Sequence, residues 1–100
     1  MPSLTIISWR DIPAQVIVKR GRETAKVQLS ARFQEAVDRA AMRAGKGSSE
    51  AYRADGKRSE PRSCGEDIQA EAAAEAARIE ARFDDAALET LIRAKGLAGP

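Results

Sequence analysis

The residue types best suited to chemistry gather at one point near the N-terminus: Trp9-Arg10-Asp11-Ile12-Pro13 holds the only tryptophan, an adjacent pair of opposite charges and a proline that fixes the backbone. Function tends to reside on loops held by a rigid scaffold, and Trp and Arg are enriched among residues that dominate protein interfaces. Trp9, Arg10, Asp11 and Pro13, with Arg22 further on, therefore form a candidate partner-binding surface. The competing reading has Trp9 filling the core, Arg10 solvated and Asp11 accepting backbone hydrogen bonds in a turn.

A second candidate is basic. Lys19, Arg20, Arg22 and Lys26 stand close in sequence between Arg10 and Arg32 and are able to engage phosphates. No aromatic residues are interleaved to stack on bases, the following segment carries Glu35 and Asp38, and no helix-turn-helix, RRM or KH signature appears. A weak phosphate or nucleic-acid binder is thus the alternative to a protein-binding domain.

Catalysis by the chain alone finds little support. Cys64 is the single thiol, flanked by Arg62 and Gly65 and near the start of a helix, all of which would lower its pKa, but there is no histidine to act as its base. Without imidazole and with one thiol, the usual zinc, copper and haem ligand sets cannot be assembled, so no metal or cofactor is expected. Glu66, Asp67, Glu71, Glu75 and Glu80 read by spacing as helical surface charges, with Arg78 and Arg82 placed to pair with them. None of these carboxylates pairs in an apolar pocket that would tune an acid against a base.

The elements that must position these residues follow from periodicity. Leu4 to Trp9 and Ala14 to Lys19 are short, β-branched runs separated by Arg10 to Pro13, a hairpin with its tip there. Val16-Ile17-Val18 is continuous and suits a strand covered on both faces, and Gly21 ends it. Ala25 to Gln28 alternates as a short third strand. Ser30 stands where an N-cap is wanted, and Phe33, Ala36, Val37, Ala40, Ala41 and Ala44 make one stripe of a helix that Gly45 stops. Lys46 to Gly65 is polar and rich in Gly, Ser and charge, with Tyr52 in a helical turn around Ser49 to Arg53 folded back on the core. Asp67 caps a second helix with a stripe of Ile68, Ala72, Ala76, Ile79 and Phe83, and Asp84 caps a third with Leu88, Leu91 and Ile92 buried. Gly96 at the position after the cap would let Leu97 fold back on Ile92.

The expected fold is α+β, a small antiparallel β-hairpin or three-stranded sheet packed against two to three helices. It divides into a sheet with first helix over 1–45, a mobile polar connection over 46–65 and a helical hairpin over 66–97, all one domain. Its 100 residues suit one domain and no more. Hydrophobic residues make up 43%, but alanine supplies nearly half of that, so stability should be modest. One cysteine excludes an intrachain disulfide, no stretch approaches a membrane span, and Leu4 to Ile7 lacks the features of a secretory signal. The cytoplasm is the expected compartment. Charge is polarised: Met1 to Cys64 carries 13 Lys/Arg against 7 Asp/Glu, and the remainder carries 4 against 8. That asymmetry can steer an anionic partner or draw the two halves together.

The block Trp9 to Val16, its continuation through Lys19 and Gly21-Arg22 to Ala25-Lys26, and Arg32-Phe33 to Ala41-Met42-Arg43 resemble the virulence factor family of short bacterial proteins. The similarity extends to Ala51-Tyr52 and Glu75 to Glu80, and departs from the pattern at Gly56, where an aromatic residue usually stands before a basic cluster. The resemblance implies an accessory subunit of folate- and corrinoid-linked methyl transfer, with a methyltransferase or reductase of one-carbon metabolism as partner. It carries over no catalytic residues.

Overall fold

Two β-branched runs joined by a two-residue connection form the centre of the molecule: β1 (Ser3–Trp9) and β2 (Ile12–Arg20) pair antiparallel, and β3 (Glu23–Gln28) adds to the far side of β2. The computed structural model describes residues 2–45 and 56–97. Among these, the remaining elements are α1 (Ala31–Arg43), β4 (Gly56–Arg58), β5 (Arg62–Ser63), α2 (Ile68–Arg82) and α3 (Asp85–Arg93). The architecture is α+β, as the sequence predicts.

The sheet is wider than three strands, with the order β3-β2-β1-β4 and β5 also on β1. Residues 56–63 belong to the segment expected to be a mobile connection. They have little to bury, and main-chain pairing orders them instead: Ile7 lies opposite Arg58, Trp9 opposite Gly56, and Leu4 opposite Arg62. Between the two short strands Ser59 closes the gap, its amide donating to the Ile6 carbonyl at 2.9 Å and its hydroxyl accepting from the Ile6 amide at 2.9 Å. The helical turn expected around Ser49 to Arg53, with Tyr52, lies outside the described residues.

Alternation along the strands puts Leu4, Val16, Val18 and Ala25 on one face, in a single core with Ile68, Ala72, Ala76 and Ile79 of α2. Ile17 points the opposite way, between Thr5 and Lys26, and is also buried. The continuous apolar run is therefore covered on both faces. The predicted stripe of α1 is buried from Phe33 to Ala41, and α1 packs along α3.

Two charged junctions differ from expectation. Ser30 makes no side-chain cap; its amide and hydroxyl both donate to Glu80 of α2, at 2.6 and 2.9 Å. Arg32 spans the same joint, donating to the Glu80 carboxylate at 3.1 Å and to the Glu80 and Phe83 carbonyls at the end of α2. Glu75 is not a surface charge: it is 6% exposed and accepts from Arg62 of β5 at 2.6 Å as well as from Arg78 at 2.7 Å. Asp67 and Asp84 cap α2 and α3 as predicted.

The end of α3 holds the hairpin tip. Lys95, at φ 62, takes the left-handed position after the cap, one residue earlier than expected, and Gly96 follows at φ 86. The Lys95 amide donates to Ile92 at 3.0 Å and the Gly96 amide to Leu91 at 2.7 Å, the two bonds of a Schellman turn. Leu97 is 50% exposed, so it does not supply the accompanying apolar contact. The Trp9 ring packs on Gly96, so closely that a Cβ there would meet Trp9 Cζ3 at 2.7 Å. Main chain completes the joint: Asp11 N–H donates to the Gly96 carbonyl at 2.8 Å, and Arg10 Nη1 to the Lys95 carbonyl at 2.8 Å.

Gly96→Ala meets both left-handed strain and the Trp9 ring, and is expected to cost about 2 kcal/mol or more. Gly21→Ala, at φ 60 with nothing within 4 Å, meets strain alone and should cost about 1 kcal/mol. Urea unfolding of both variants checks the difference; equal losses would show that the ring yields.

Burial pushes the Glu80 carboxyl up, but the Ser30 amide and hydroxyl and the Arg32 guanidinium outweigh it and hold its pKa below the usual value. A depressed folded pKa contributes stability above the unfolded value, near 4.3 for Glu, that is lost as pH falls through the folded one. Glu80→Gln should lower stability at neutral pH by about 1.5–3 kcal/mol and flatten the pH dependence of stability below about pH 4, as read by urea titrations across that range.

Candidate functional site: a cationic cavity at the hairpin tip

The latch of the tip on the α3 turn fixes Arg10 and Asp11, and the beginning of β4 lies beside them across β1. Together with the end of α2 they enclose a cavity of about 360 Å³. Its lining includes the partly exposed apolar side chains of Ile6 on β1 and Phe83 at the end of α2, together with the buried Pro13 on β2 and Ile79 on α2. Four cations line it, Arg10, Lys57, Arg58 and Arg82, against the single carboxylate of Asp11.

Each cation arrives by a different route. Lys57 and Arg58 are neighbours on β4, opposite Ser8 and Ile7, and Lys57 Nζ lies 2.8 Å from Asp11 Oδ1. Arg10, at φ 52, has its guanidinium 5.0 Å from the Trp9 ring. Arg82 lies over Phe83 at 5.5 Å, within the range of a cation–π contact. Among the described residues neither Arg58 nor Arg82 makes an ion pair, so these two carry uncompensated charge at the cavity. A cavity lined by both apolar side chains and cations can hold an anion that carries an apolar part, because guanidinium groups bind carboxylates through paired hydrogen bonds while the apolar lining excludes water from them.

Of the partner-binding residues expected from sequence, Arg10, Asp11 and Pro13 line this cavity. Trp9 does not. It is 3% exposed, and its part is to anchor the tip through Gly96. Arg22 is not a neighbour of the tip: it follows Gly21 in the turn between β2 and β3, at the opposite end of the nine-residue β2, about 25 Å away at roughly 3.3 Å per residue.

The phosphate set is divided by the sheet. Lys19 and Lys26 extend from the face that carries Ile17, whereas Arg20 alternates to the other face and binds Glu23 at 2.9 Å and the Glu66 carbonyl at 2.8 Å. Arg22 is exposed in the turn. Cys64 is not activated; burial and Glu71 push its thiol pKa up against the pull of Arg62. Among the described residues no three His, Cys, Asp or Glu side chains gather as a metal ligand set, and no described helix is long and apolar enough to cross a membrane.

Sequence reasoning missed Lys57, Arg58, Arg82 and Phe83. The first two stand in a segment without periodicity, where only the adjacency of two cations hints at a role. The spacing suggests pairing of Arg82 along its own helix, but the helix ends there, and the positions three and four residues before it are Ile79 and Arg78, neither of them an acid.

No curated protein and no solved structure matches the chain. The family profile described as virulence factor matches residues 7–92, spanning the hairpin tip, β4 and the end of α2 that enclose the cavity. With most of its length so matched, the chain belongs to the virulence factor family.

Proposed function

We propose that this member of the virulence factor family is a non-catalytic accessory domain that docks on a protein partner by taking an acidic segment of it into the cavity at the hairpin tip. The observation that carries the reading is the pair of guanidinium groups, Arg58 and Arg82, that make no ion pair among the described residues and stand on two different elements lining one cavity. The latch on the α3 turn supports it, because a tip held by backbone hydrogen bonds presents the cavity without an ordering cost on binding.

The family resemblance points to an enzyme of one-carbon metabolism, a methyltransferase or a reductase, as the partner, and the single cysteine suits a reducing cytoplasm. The domain then contributes recognition and leaves the chemistry to the enzyme it joins.

Trp9 is a poor residue to test this with. Truncating a buried aromatic costs about 3–5 kcal/mol of stability, so a lost interaction would report unfolding. Arg58→Glu and Arg82→Glu leave the core untouched. A tagged pull-down from the native bacterium, washed with nuclease and with salt, should recover a methyltransferase or reductase identified by mass spectrometry, with at least about tenfold less in the double charge reversal. Recovery unchanged by the reversal sinks the cavity reading, and recovery of only nuclease- and salt-sensitive material points instead to phosphate binding through Lys19, Arg20, Arg22 and Lys26.

A further inference from the structure

We infer that the segment recognised by the cavity is an aromatic side chain flanked by carboxylates; this rests on the docking reading above and specifies what the docked segment must contain. The floor and the rim make different demands. Ile6 and Phe83 are only partly buried and offer no hydrogen-bonding side chain, so a purely acidic segment would leave their exposed surface in contact with water. Filling that floor with an apolar side chain adds favourable burial at about 25 cal/mol per Å².

An aromatic ring suits the site better than an aliphatic chain. Phe83 is half-buried there, with Phe33 already against it edge-to-face at 6.1 Å between centroids. The guanidinium of Arg82 lies over the Phe83 ring. A ring entering from the partner would meet Phe83 in the offset or edge-on geometries that aromatic pairs favour and place its face beside that cation.

The flanking carboxylates follow from where the cations stand. Arg58 is on β4 and Arg82 at the end of α2, two different elements that line the same cavity, so an anchor seated there has a cation to meet from each element. Asp11 also borders the cavity, 2.8 Å from Lys57, and repels a continuous run of phosphates more than it does two separate carboxylates. The cations come from three separate elements rather than from one stripe, which argues the same way against a nucleic-acid backbone.

Fluorescence anisotropy with the full chain and labelled peptides tests this. The probes are Asp-Glu-Phe-Glu-Asp, its counterpart with Ala for Phe, and a single-stranded oligonucleotide. The Phe peptide should bind at least about fivefold more tightly than the Ala peptide, and Arg58→Glu with Arg82→Glu should weaken it by at least about tenfold. Circular dichroism establishes that the double variant is folded; Arg58→Gln with Arg82→Gln, which removes charge without reversing it, should show a smaller loss in the same direction. Equal binding of the two peptides overturns the aromatic anchor and leaves acidic docking standing. Binding of neither overturns both, and tighter, salt-steep binding of the oligonucleotide overturns both in favour of a phosphate ligand.

Discussion

The contact between the Trp9 ring and Gly96 is the constraint around which the rest of the molecule is arranged. A hairpin tip with a non-glycine residue at positive φ is a poor place to stop a sheet, and Arg10 adopts that conformation with its side chain bonded to the Lys95 carbonyl. The α3 turn accepts the tip because Gly96 has no side chain of its own to put there. The apolar contact that usually closes a Schellman turn locally is supplied instead by the ring of a residue at the other end of the chain.

A second joint settles how the helices meet the sheet. Ser30, Arg32 and Glu80 tie the start of α1 to the end of α2, and the same hydrogen bonds satisfy carbonyls that α2 would otherwise leave open at its C-terminus. Glu75 does the corresponding work at the sheet edge, where two arginines share one buried carboxylate and hold β5 against α2. Charge polarity between the halves of the sequence is thus spent in part within the molecule: Arg20, Arg32, Arg39 and Arg62 each meet an acid from beyond residue 64. The excess left at the hairpin tip comes from Arg58 and Arg82, which meet none among the described residues.

Local signals were legible wherever a single element carried them. The apolar stripes of α1, α2 and α3, the two aspartate caps and the hairpin over β1 and β2 all follow from spacing, because the physics involved acts within a few residues. What could not be read depended on distant partners. Ser30 has the composition of a cap and turns to Glu80, Glu75 has the spacing of a surface charge and lies buried against Arg62, and residues 56–63 have no pattern because β1 orders them through their backbone. The candidate site was half visible for the same reason. Arg10, Asp11 and Pro13 announce a tip, whereas Lys57, Arg58 and Arg82 reach it only through the pairing of β4 and the length of α2.

The joining of residue 9 to residue 96 also bears on biogenesis. A ribosome makes the β1–β2 hairpin first, and its local pairing can form early, but the Gly96 backbone against which the indole packs is made only after α3. Closure of so long a loop is among the last events available to the chain, since distant contacts form only after the intervening segment is ordered. Until then the indole, 3% exposed in the folded chain, stands uncovered beside a basic tip, and the cavity cannot form before the end of α2, which supplies Arg82 and Phe83, has been made.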